Sequence, residues 1–297
     1  DSSAPPLLEP TQNSEAPKVI LTVAISALTL GVHAGDWGKA PVECKAPIEE
    51  CVDVGGNISF GYHTDYLYNG VRFGRDSLVT DVNYSFESFI PMTVGVTYKN
   101  VIGGAPGVDH MELYLLGQLG TYAGFDLTGS FRYHFFPELA GVGSAAEFGL
   151  HLSRDLAGIA TFKASMLYNH GYPNSWNIGG ATGATRNDNG SWYHSFGLEK
   201  TVPVLGQNLV LSATVGYADN YWGDLPTLQA NTPRSSGWSH YNITAALPIE
   251  LNCRATLVPY IAYTGAPDSW LADGINPVGV GAQSDVLHGG ISLSVNF

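Results

Sequence analysis

The chain has 297 residues, 44% hydrophobic and only 13% charged, with 26 acidic and 13 basic side chains for a formal net charge of −13. An ordinary soluble domain carries roughly 25% charged residues, and here Gly, Ser, Thr, Asn and Tyr stand in for the missing charge. With no basic patch to neutralise phosphates, nucleic acid is excluded as a partner.

In chain order, residues 1–17 form a polar upstream segment. Lys18 then precedes an uncharged run from Val19 to Val32, and Val32-His33-Ala34 stands before Gly35. This is the pattern of a secretory signal peptide cleaved after Ala34. The run is shorter than the roughly 20 residues of a comfortable span, and a single buried helix is the alternative. Residues 1–34 are therefore expected to be an upstream segment plus signal, leaving a mature chain with 23 acidic and 12 basic residues. Residues 35–55 follow as a polar N-terminal segment in which Cys44 and Cys51 bracket "KAPIEE". An oxidising compartment would let these two pair, the alternative being free thiols. Cys253, in "IELNCRA", is left over.

From residue 56 to 297 helical periodicity is absent, and short strands of 9–12 residues follow one another. Twelve are expected, near 57–68, 77–86, 91–101, 109–120, 122–134, 144–154, 158–169, 191–202, 208–218, 238–248, 255–264 and 286–297. Side chains of a strand alternate between faces. Phe125, Leu127, Phe131 and Tyr133 thus oppose Asp126, Thr128, Ser130 and Arg132. In the last strand Leu287, Ile291, Leu293, Val295 and Phe297 oppose His288, Ser292, Ser294 and Asn296. The stretches near 109–120 and 158–169 alternate poorly. Connections after even-numbered strands are short ("ESFI", "TY", "DLAG", "VLGQ"). Those after odd-numbered strands are longer, and three are very long: 170–190, 219–237 and 265–285. A soluble sandwich has no reason to sort loop lengths by parity. An up-and-down barrel does, because alternate connections emerge at opposite ends.

These features together resemble a bacterial outer-membrane β-barrel. The resemblance implies an all-β fold with one antiparallel transmembrane barrel of about twelve strands over 56–297, a periplasmic segment over 35–55, and outer-membrane lipid around the apolar face. It also implies that the terminal strand ending in Phe297 is the signal read by the barrel-assembly machinery. "ISFGYHTDYLYNGVRF" is similar to the first strand of a family of uncharacterised Gram-negative barrels, and the overall size resembles twelve-stranded nucleoside and acidic-sugar porins.

The polar faces would line the lumen. Lys99, Asp126, Arg132, His134 and Glu147 are the leading lumen candidates, within a wider set of Asp65, Asp81, Asn83, Glu112, His151, Lys163, Glu199, Asn242 and His288. Both signs are present, so neither strong cation nor strong anion selectivity is expected. Either a hydrated passage for small polar solutes or a lumen plugged by paired charges fits. "YNHGYPNSW", "YADNYWGD" and "YTGAPDSW" each place a Trp beside a polar or acidic group. Trp176, Trp222 and Trp270 are therefore candidates to stack on solute rings at the mouth, the alternative being interfacial anchoring, as expected for Trp192 and Trp238. An outer-membrane lipid hydrolase is a further alternative. His151 and Ser153 share a face and His194 and Ser195 do not, and neither pair has an evident orienting carboxylate. No catalytic site, metal cluster or cofactor motif is expected.

Overall fold

The computed structural model describes residues 54–104, 109–135, 137, 145–170, 191–219, 236–265 and 285–297. Among the described residues thirteen strands are present: β1 (Gly56–Tyr68), β2 (Val71–Glu87), β3 (Pro91–Gly104), β4 (His110–Tyr122), β5 (Phe125–Phe135), β6 (Ala145–Asp155), β7 (Thr161–His170), β8 (Ser191–Val204), β9 (Gln207–Asp219), β10 (Ser236–Ala246), β11 (Ile249–Glu250), β12 (Ala255–Gly265) and β13 (Asp285–Asn296). Twelve of them form the wall. β11 is a two-residue piece in the turn before β12, pairing with Leu257 and Thr256.

The wall strands pair antiparallel with their chain neighbours, and the sheet closes on itself where β1 meets β13, from Asn57↔Asn296 to His63↔Gly290. β10 joins β12 directly, from Tyr241↔Gly265 to Ala246↔Tyr260. This is a single closed up-and-down barrel, and closure leaves no sheet edge over the stretch of seam from Asn57 to His63. The seam extends to the last residue. The Phe297 N–H donates to the Gly56 carbonyl (2.9 Å), while the Val54 and Gly56 N–H groups donate to the Phe297 carbonyl (3.1 Å each). The Phe297 ring occupies the space a Cβ on Gly56 would need, with Cζ at 2.7 Å, so a larger residue there would displace the ring.

At the tight end, Ala123-Gly124 and Leu205-Gly206 each supply two consecutive positive φ angles (51° and 78°; 50° and 79°). That backbone twist suits two-residue hairpins. The poorly alternating stretches are strands too. They read badly because Leu116 in β4 and Leu167 in β7 point inward, at 3% and 2% exposure.

One expected connection is different. Residues 69–76 were expected as a loop after the first strand, but β2 begins at Val71 and the connection is Asn69-Gly70 alone (φ 47° and 84°). Alternation from Phe60 and Tyr62 would put Tyr66 and Tyr68 on the outer face. Instead all five residues from Asp65 to Asn69 are buried. The tip of the first hairpin has folded inside the barrel.

Candidate functional site

The apolar set of each strand faces outward and stays exposed: Phe60 at 50%, Ile243 at 56%, Ile261 at 55%. The charged set faces inward and is buried: Glu147 at 0%, Arg132 at 4%, Lys99 at 6%. In water this arrangement would leave a continuous apolar girdle exposed and several ionic groups desolvated. In a bilayer the girdle meets lipid, and the backbone groups of the wall are satisfied strand to strand. The chain is a transmembrane β-barrel. It is of the outer-membrane type, and Trp192 and Trp238, both exposed, pack on Tyr168 (4.8 Å between centroids) and Tyr217 (5.6 Å) on its outer surface.

Inside, the pairing registers set charged side chains from neighbouring strands side by side. Lys99 lies across from His110, Glu112 from His134, and Arg132 from Glu147. Glu112 is the hub: Lys99 Nζ donates to its Oε2 at 3.0 Å and Arg132 Nη1 to its Oε1 at 3.0 Å. Arg132 Nε lies 3.9 Å from Glu147, and Lys99 Nζ lies 3.4 Å from His110 Nε2. One strand pair away, Asp81 accepts from Thr97 Oγ1 (2.6 Å) and from the Tyr114 hydroxyl (3.1 Å). The Tyr114 ring fills the space left by Gly95.

The first hairpin caps this cluster. The Tyr66 hydroxyl is 3.0 Å from His110 Nδ1, and the Tyr68 hydroxyl donates to Glu147 Oε2 at 3.3 Å. The Lys99 ammonium lies 5.6 and 5.4 Å from the two ring centroids, within cation–π range. Arg72 of the hairpin pairs with Asp65.

The leading candidates Lys99, Arg132, His134 and Glu147 are thus brought together, with Glu112 at their centre. Asp126 shares their face but lies exposed at the tight end, where Thr121 Oγ1 donates to it at 2.6 Å. Lys163 pairs with Glu199 at 2.8 Å, apart from the cluster. Trp176, Trp222, Trp270, Cys44 and Cys51 lie outside the described residues. Cys253, left over in the sequence reading, is disulfide-bonded. Sequence reasoning missed the tyrosines of the hairpin. Asn69-Gly70, the dipeptide that favours a type I′ turn, was the available signal.

His110, Glu112 and His134 place ligand-type atoms within 4.8 Å of one another. Both Glu112 oxygens already face cations, so a divalent ion would enter beside Lys99 and Arg132 against their repulsion. The trio reads better as part of the ion-pair network. His151 is inward and buried, with Nε2 2.8 Å from Ser130 Oγ and Nδ1 2.8 Å from Ser165 Oγ. Hydroxyls occupy both ring nitrogens where a hydrolase would set a carboxylate on one. His194 stacks on Trp192 at the outer face while Ser195 is buried inside.

No protein-family model matches the chain, and neither does any curated protein. Solved structures similar to it include the NanC porin (10% identity, 82% of this chain and 100% of that one, TM-score 0.48). Another is the COG4313 outer membrane channel from Pseudomonas putida F1 (8% identity, 85% and 100%, TM-score 0.49). A third is the KdgM porin (7% identity, 81% and 99%, TM-score 0.44). Scores and identities this low carry no argument about function.

Proposed function

We propose that this barrel is an outer-membrane channel for passive diffusion of small polar solutes. The observation that carries the reading is the chemistry of the lumen wall from β8 to β13. Ser212, Thr214, Asn242, Thr244 and Ser292 face inward there and remain half-buried, a wall of small hydroxyl and amide groups within reach of water. Charge is concentrated on the opposite side, where Lys99 and Arg132 are balanced by Glu112 and Glu147. A passage of this kind offers hydrogen bonds and little net charge, which suits neutral polar solutes over ions. Trp176, Trp222 and Trp270 are proposed as stacking groups at the mouth. The strand ending in Phe297 is proposed as the feature the assembly machinery reads.

A structural barrel with a permanently plugged lumen is the second reading. It is favoured by the burial of Tyr66, Tyr68, His134 and Glu147, each exposed by 1% or less. Single-channel recording of the refolded mature chain in a planar bilayer separates the two. Discrete conductance steps, partly blocked by sugars or nucleosides, support the channel. A silent bilayer containing folded, inserted barrel overturns it.

A further inference from the structure

The first hairpin leaves the wall at a definite height. Pairing of β1 with β13 ends at His63↔Gly290, and from Asp65 to Tyr68 β1 pairs with β2 alone. β1 shifts register between Tyr66 and Leu67, while β2 keeps one register on β3 through Asp76 (φ 53°) as far as Gly74↔Gly104, its last pair with that strand. Beyond these points the tip crosses the lumen. Tyr66 reaches His110 on β4, Tyr68 reaches Glu147 on β6, and Gly70 abuts His240 on β10, where an added Cβ would lie 2.5 Å from Nδ1.

The contacts that hold the tip in place are mostly polar or cation–π, the kind water can replace. The closed arrangement also buries groups with no partner. Asn169, the register neighbour of Glu147, has neither its amide nitrogen nor its oxygen bonded, and Ser195 Oγ is likewise unbonded. Both residues are at most 2% exposed. Such groups favour a state in which they meet water or a polar solute. Withdrawal of the tip, whose Tyr68 rests on Glu147 beside Asn169, supplies one for Asn169.

We propose that residues 65–73 form a hinged constriction, in which Tyr66 and Tyr68 set the size of solute that passes and motion about Gly74 and the β1 bulge opens the lumen. The proposal rests on the channel reading and adds to it the residues that limit passage.

The test uses the full mature chain, folded barrels being verified by heat-modifiable mobility on gels. Tyr68→Ala widens the constriction. The pair Gly70→Cys with His240→Cys locks it, because the Cβ built on Gly70 lies 2.8 Å from the His240 Cβ, close enough for a disulfide after a small shift. The single-cysteine variants serve as controls. Tyr68→Ala is expected to raise single-channel conductance about twofold and to admit larger sugars in liposome swelling, since pore diameter governs both. The oxidised double variant is expected to conduct about half as well as wild type or less and to recover on reduction. A silent wild type that Tyr68→Ala opens overturns the channel reading and the constriction that rests on it, and marks the hairpin as a permanent plug. Wild-type conduction with no change in either variant overturns the constriction and leaves the channel standing. Conductance indifferent to the lock overturns the hinge. Silence in every folded variant, reduced ones included, overturns constriction and channel together.

Discussion

Replacing Glu112 by Gln tests the ion-pair network most directly. The substitution keeps the shape of the side chain and removes the charge that two buried cations share at 3.0 Å each. Arg132 retains Glu147 at 3.9 Å, whereas Lys99 keeps the ring nitrogen of His110 at 3.4 Å and the faces of Tyr66 and Tyr68 but no carboxylate. One buried ammonium is therefore orphaned of its counter-charge. Breaking a buried pair by removing one partner costs about 3–5 kcal/mol, and because Arg132 keeps a carboxylate the lower figure, about 3 kcal/mol, is expected. Removing the orphan as well, in Lys99→Met with Glu112→Gln, should recover stability to within about 1 kcal/mol of wild type, since a buried pair exchanged for packed neutral groups is often neutral. Urea unfolding of the barrel in phospholipid vesicles, followed by tryptophan fluorescence, measures all three proteins. A Glu112→Gln barrel within about 1 kcal/mol of wild type, or a double variant no more stable than the single one, would show that the cluster is hydrated and that the packed arrangement is wrong.

Two further outcomes follow from the wall and the cysteines. Ile243 is exposed on the outer face opposite Ala213, near the middle of β9 and β10, so Ile243→Arg should destabilise the barrel in vesicles by about 2–4 kcal/mol; an unchanged unfolding midpoint would argue against lipid at that face. Peptide mapping of the protein without reductant should find Cys253 cross-linked; a free Cys253 thiol would refute that bond.

The wall was legible because its physics is simple. A strand with lipid on one side and a polar lumen on the other must alternate, and most strands do, so their faces could be read residue by residue. Lys99, Arg132, His134 and Glu147 followed from parity alone. Parity gives a face but not a depth, and so Asp126 was grouped with residues it never meets. The hairpin was illegible for a related reason. "VRFGRD" carries two arginines and an aspartate where a wall strand would show apolar residues. It looked like a solvated loop, whereas inside the barrel Arg72 meets Asp65 and the segment can remain extended. Leu116 and Leu167 misled in the opposite direction, as apolar residues on an inward face next to a packed section of lumen.

The inward turn of the first hairpin also fixes how deep the barrel can sit. Above His63↔Gly290, β13 is paired with β12 on one side and, among the described residues, has no strand beside it on the other. One backbone group there, the Gly289 N–H, is met by a side chain, Thr64 Oγ1, at 3.0 Å. Hydrocarbon does not tolerate a stretch of open strand edge. On that flank the oily layer must therefore end no higher than the Gly290 level, and the part of β13 from Asp285 to Gly289 stands among lipid headgroups and water. The notch left by the hairpin serves as a depth mark cut into the wall.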